Sequence, residues 1–187
     1  MRVTLWQNMA PRAKRTSSRR RAPRLKRIVR LPVEYFEAMD ITNVLFPPLY
    51  QFENGMRILL DSFLTTCYGA DWWNVSLKAK LEKVFEYAEN QQKRLDAMPW
   101  IGSSAVVKVL PIHLVTLGHL EEVVKAYQSD CIPDLFPTLE FFLGHMELIK
   151  RVRNMYTHMF PCITRNDCQI ARSEIRVLAS HINSKLP

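Results

Sequence analysis

After residue 45 apolar side chains recur at intervals of three and four, and no stretch alternates apolar and polar residues over a strand's length. Pro47-Pro48 supplies a helix start, and Phe52, Met56, Leu59, Leu60, Phe63 and Leu64 then mark one face of a helix ending at Tyr68-Gly69. Ser76 is a candidate N-cap for a second helix reaching about Met98, with Leu77, Leu81, Val84, Phe85 and Ala88 turned inward. Residues 99–111 contain Gly102, Ser103, Ser104 and two prolines and read as a loop. A third helix is predicted from about His113 to Tyr127. The fourth opens at Pro133 to Pro137 and continues through Leu139, Phe142, Leu143, Met146, Ile149 and Val152. The last runs from Asn166 or Asp167 to Ile182, while Val33 to Phe46 is only a short apolar-aromatic piece. The prediction is an all-α fold, an up-and-down helical bundle of four to five main helices over residues 32–187.

Charge divides the chain in two. Residues 1–31 carry 11 of the 26 Lys and Arg and no Asp or Glu, including Arg19, Arg20 and Arg21. All 18 acidic side chains lie after it. Such a segment buries too little apolar surface to order itself, so a disordered basic arm is expected. Three readings stand for it: a phosphate-binding arm, an Arg- and Ser-rich transit peptide, or a start site displaced from Met9.

The chain has 187 residues, enough for one domain with a proper core. Its most apolar stretch, Trp100 to Leu120, is broken by Lys108, Pro111 and His113, so no membrane span is expected. The 4 cysteines form no CxxC pair, which favours reduced thiols in a cytoplasmic protein over a disulfide framework. His158, Cys162 and Cys168 lack a fourth ligand at zinc-finger spacing, and no metal or other cofactor is expected. With only 5 glycines, P-loop and Rossmann nucleotide sites are excluded.

The chemistry gathers at the end of the fourth predicted helix, Lys150-Arg151-Val152-Arg153-Asn154-Met155-Tyr156-Thr157-His158. Asn154 and His158 are one turn apart and share a face, whereas Arg153 is rotated about 140° from His158 in an ideal helix. A guanidinium, an amide and an imidazole can together perform phosphoryl transfer on RNA. The spacing alone is unspecific, since Arg176 and His181 repeat it, but Val177 follows Arg176 where Asn154 follows Arg153. Lys150 is well placed to meet a phosphate, and Tyr156 to contact a base, a ribose or a packing neighbour. His145 lies two turns before Arg153 and is a candidate supporting residue. His113 and His119 read as structural, and Trp72-Trp73 as packing over the bundle end rather than stacking on bases.

Arg153-Asn154-Met155-Tyr156-Thr157-His158, closing the fourth helix of an all-α domain, resembles the signature of the HEPN superfamily, an Arg and a His separated by four to six residues. Phe52-Glu53-Asn54 with Arg57, Tyr68-Gly69-Ala70-Asp71-Trp72-Trp73 and Leu117-Gly118-His119-Leu120 are similar to the branch found beside PIN-type endoribonucleases and in prokaryotic defence systems. The likeness spans about residues 45–185. It implies a homodimer with a composite cleft, in which Arg153 stabilises phosphate charge, Asn154 orients the pair and His158 is the general acid or base. Lys150, Tyr156 and the arm's Arg19, Arg20 and Arg21 would bind RNA. The implied activity is metal-independent endoribonuclease cleavage in a defence or toxin-like system, with a protein inhibitor or antitoxin as a partner. The alternative is a non-catalytic module that binds RNA or a protein. A weaker third reading is a DNA-associated helical protein governed by its arm. Phe160 stands where HEPN toxins paired with nucleotidyltransferases carry a modifiable tyrosine, so regulation by adenylylation is not implied.

Overall fold

The computed structural model describes residues 32–97, 109–158, 160 and 162–185. The chain divides after residue 30, and every described residue belongs to the second unit. The basic arm, with Arg19, Arg20 and Arg21, lies outside the described residues, as does most of the predicted loop over 99–111.

The fold is all-α. Among the described residues eight α-helices occur and no strand. They are α1 (Val33–Thr42), α2 (Phe46–Tyr68), α3 (Lys78–Lys80), α4 (Glu82–Asp96), α5 (Leu117–Ala126), α6 (Gln128–Cys131), α7 (Leu139–Thr157) and α8 (Arg165–Asn183). A π-helical turn, Trp73–Leu77, leads into α3, and a 3-10 turn, Pro111–Leu114, precedes α5.

Local chemistry sets the ends of these helices. Pro47 and Pro48 occupy the first turn of α2, where their missing N–H groups cost nothing. Gly69, at φ 84°, ends that helix in a conformation an L side chain disfavours. The Thr138 hydroxyl accepts from the Phe141 N–H at the start of α7. Thr164 and Asp167 form a reciprocal capping box on α8. Those Thr164 hydrogen bonds, side chain and backbone, hold the Asp167 carboxyl below its ordinary value.

α8 packs against both α7 and α2, and α7 also meets α5. Met56, Leu60, Leu64, Leu120, Phe142, Met146 and Leu178 interlock in the core and are sealed from solvent. Each such side chain contributes on the order of 1.5–3 kcal/mol through burial.

Four predicted features differ from the structure. The stretch before Phe46 contains α1, whose buried residues are only Ala38 and Thr42, so no long apolar stripe announced it. Ser76 is not an N-cap. It lies in the π-helical turn and its hydroxyl pairs with Tyr127 Oη at 2.9 Å, while the wider turn brings Trp72, Trp73 and Leu77 into the core together. The second helix is interrupted at Leu81 (φ −138°, ψ 59°), with no glycine or proline to signal it. The third begins at Leu117 because Thr116 is extended and caps it jointly with His119, which leaves His113 exposed in the 3-10 turn.

Trp72 and Trp73 are both buried, and the Trp72 indole N–H donates to Asp61 Oδ1 at 3.1 Å. Both belong to the core and neither ring is free to stack on a base. All 4 cysteines are free, Cys131 and Cys168 buried, Cys67 and Cys162 exposed. No helix among the described residues is long and apolar enough to cross a membrane.

Candidate functional site

α7 carries the predicted chemistry because its buried stripe stops just before it. Phe142, Met146, Ile149 and Val152 face the core. The next residue, Arg153, is 27 % exposed along its side chain. Its Nε lies 3.6 Å from Glu53 Oε1 on α2, and its Nη1 lies 3.4 Å from Asn154 Oδ1. Glu53 is in turn braced by Arg57, whose Nη2 donates to Glu53 Oε2 at 3.2 Å. The same nitrogen reaches the Val115 carbonyl at 3.0 Å, tying α2 to the segment before α5. Arg57 Nη1 sits 3.4 Å from Asn54 Oδ1, and its buried Nε has no partner among the described residues.

One carboxylate therefore bridges two guanidiniums, one buried and one reaching solvent. The pair to Arg57 is the firmer, because Arg57 is only 9 % exposed and water screens it poorly. The longer contact to Arg153 involves Nε, and with Nη1 on Asn154 it leaves Nη2 without a partner among the described residues. That geometry holds a guanidinium in place without saturating it.

His158 is the residue at which α7 ends, at φ −90° and ψ 4°. Its backbone N–H still donates to the Asn154 carbonyl at 3.0 Å, so Asn154 and His158 remain one helical turn apart, as the spacing predicted. Both are exposed. The Phe160 N–H closes back onto the Met155 carbonyl at 3.0 Å, which folds the chain over the helix end. The Phe160 ring then lies 5.9 Å from the His158 ring, centroid to centroid. Among the described residues no hydrogen bond or ion pair joins Arg153 to His158.

The other candidates separate from this group. Lys150 Nζ donates to Glu121 Oε2 at 2.6 Å and belongs to an ion cluster with Lys125 on α5. Burial works to raise the Glu121 carboxyl, but hydrogen bonds from Lys125 and Lys150 outweigh it and hold the group below its ordinary value. His145 Nδ1 pairs with Glu174 Oε2 on α8, and its ring packs against Phe141, so it belongs to the α7–α8 seam. Tyr156 is half-buried, 6.3 Å from the Phe46 ring, and lines a cleft against α1. His181, the other half of the repeated spacing, packs on Phe141. His119 serves the α5 cap and stacks near Tyr87.

The residue that the motif alone did not reveal is Glu53. Its i,i+4 pairing with Arg57 is legible in the sequence, but its contact with a helix 100 positions later is not. Comparison with protein-family models, with curated proteins and with solved structures found no match to this chain.

Proposed function

We propose that this protein is a homodimeric RNA endonuclease of HEPN type that cleaves without a metal ion. What supports the reading is the setting of the α7 terminus: Arg153 and His158 both reach solvent, and Glu53 braces the guanidinium without using up its fork. In the reaction a ribose 2′-oxygen attacks the adjacent phosphorus and the bond to the 5′-oxygen breaks. The 2′-hydroxyl gives up a proton, the leaving oxygen gains one, and a 2′,3′-cyclic phosphate and a 5′-hydroxyl result. His158 serves one of the two proton transfers. Arg153 meets the charge that builds on the phosphoryl oxygens, an interaction strongest in the transition state. Arg153 and His158 make no contact with each other within one copy, so the reading pairs them across two copies of α7. The basic arm, with Arg19, Arg20 and Arg21, supplies sequence-independent affinity through counterion release. The free cysteines suit a cytoplasmic setting, where a protein inhibitor would hold a toxin-like nuclease in check.

A second reading has its own observation. Arg153 already has a carboxylate partner, as a guanidinium in a structural clasp would, which suits a module that binds RNA or a protein without cutting it.

Incubation with RNA in EDTA separates the two. The nuclease reading expects cyclic-phosphate ends, and His158→Ala is expected to slow cleavage by about 10²–10⁴-fold. Unchanged circular dichroism and sedimentation would show that the variant keeps its fold and assembly. RNA bound but never cut, by wild type and variant alike, would reject the nuclease reading in favour of the module.

A further inference from the structure

A cleft of about 260 Å³ opens beside the α7 terminus, between that end of the helix and α1. Its aromatic walls are Tyr35, Tyr156 and Phe160, and Met39 lies along its side. Tyr35 and Phe160 are also exposed, at 39 % and 50 %. Asn43 stands at the rim, and its side-chain amide makes no hydrogen bond with another described residue. Phe160 is shared with the candidate site, since the same ring neighbours His158 at 5.9 Å.

We infer that this cleft is a base-binding subsite, which takes one unstacked nucleobase of single-stranded RNA next to the phosphate served by His158. The inference rests on the nuclease reading for the identity of that phosphate. Flat, polarisable walls suit a heterocycle, because every base has a π-face to lay against an aromatic ring. An unpaired amide at the rim suits it further, since Asn can donate to and accept from a base edge. A purely apolar protein surface seated here would leave that amide without a partner, at a cost. The subsite also gives the enzyme a reason to prefer single strands. Within a duplex the base is stacked and paired, and entering the cleft would first require its extraction.

The test uses the full chain and a fluorescein-labelled octaribonucleotide with 2′-O-methyl sugars throughout, which no 2′-hydroxyl mechanism can cut. Anisotropy is expected to show binding that weakens roughly 5- to 30-fold when Tyr156 is changed to Leu, and that Tyr156→Phe restores. Tyr35→Ala, at an exposed position, repeats the loss where folding is not in question. In cleavable RNA, an abasic nucleotide at the position 3′ or 5′ to the cut is expected to raise KM by a similar factor.

Equal binding by wild type and Tyr35→Ala, with no effect of the abasic site, would overturn the subsite while leaving the nuclease reading intact. Conversely, base-dependent binding by a protein that never cleaves RNA would sustain the cleft as a base site and reject the nuclease reading. Loss of dimer on Tyr35→Ala, seen by sedimentation, would show that a second copy covers the cleft and would also overturn the proposal.

Discussion

Two carboxylates on α7's flanks are built alike and behave differently. Glu53 on α2 and Glu121 on α5 each take a cation four residues along their own helix, Arg57 and Lys125, and a second from α7, Arg153 and Lys150. Around Glu121 both contacts are tight, 2.5 and 2.6 Å, and its charge is spent on the two ammonium groups. Around Glu53 the contacts lengthen to 3.2 and 3.6 Å, and the outer cation is a guanidinium whose Nε faces Glu53 and whose Nη1 meets Asn154, which leaves Nη2 open among the described residues. A lysine is a point charge that one carboxylate can absorb. An arginine can be held by one edge and still offer another. The first cluster is a clamp, and the second is a mount.

The sharpest way to break this contrast is to remove the α7 cation from each side. If the proposed nuclease reading holds, Arg153→Ala is expected to lower kcat for RNA cleavage by about 10²–10³-fold, the loss typical of one charge-stabilising donor. Arg153→Lys is expected to recover little of it, because an ammonium lacks the planar fork. Lys150→Ala is expected to leave kcat within a few-fold. Single-turnover kinetics on the three variants decides it, and equal losses for Arg153→Ala and Lys150→Ala would collapse the distinction.

Next in size is the brace itself. Arg57→Met leaves the Val115 carbonyl without its donor and Glu53 without its buried partner, for an expected loss of about 2–3 kcal/mol in urea unfolding. Activity is expected to fall as well, since Glu53 no longer presents Arg153 in one place. Methionine keeps most of the packing of the arginine stem, so the loss reports the polar contacts rather than a cavity.

The smallest effect concerns the clamp and is read through pH. The Glu121 carboxyl titrates lower folded than unfolded, so the cluster stabilises the domain above the ordinary value of 4.5. That contribution is lost as pH falls through the depressed value. Glu121→Gln is expected to cost about 1 kcal/mol at neutral pH, since both lysines are partly exposed. The gap between variant and wild type, followed by urea midpoints, is expected to narrow steadily below pH 4.5. A gap independent of pH would mean that Glu121 contributes through packing alone.

The helix over 46–68 was readable because two prolines open it, a glycine with positive φ closes it and an apolar stripe runs between them. The predicted start of α8, Asn166 or Asp167, falls one or two residues after the observed start at Arg165, which Thr164 and Asp167 cap. α1 was not readable as a helix, since only two of its residues turn inward. Nor was the π-helical turn, which exists to fit Trp72, Trp73 and Leu77 into one core.

The same boundary runs through the site. Local order along the chain settled that α7 is a helix, that its buried stripe ends at Val152, and that Asn154 and His158 share a face, because backbone hydrogen bonds reach only four residues and repeat. Which of two cations three residues apart would be clamped and which merely mounted depended on the helices brought alongside. Glu121 comes from α5, packed on α7, and Glu53 from α2, held beside α7 because both pack on α8; a carboxylate 100 positions away leaves no trace in the spacing of a motif. Periodicity is a property of neighbours in sequence, while electrostatic pairing is a property of neighbours in space.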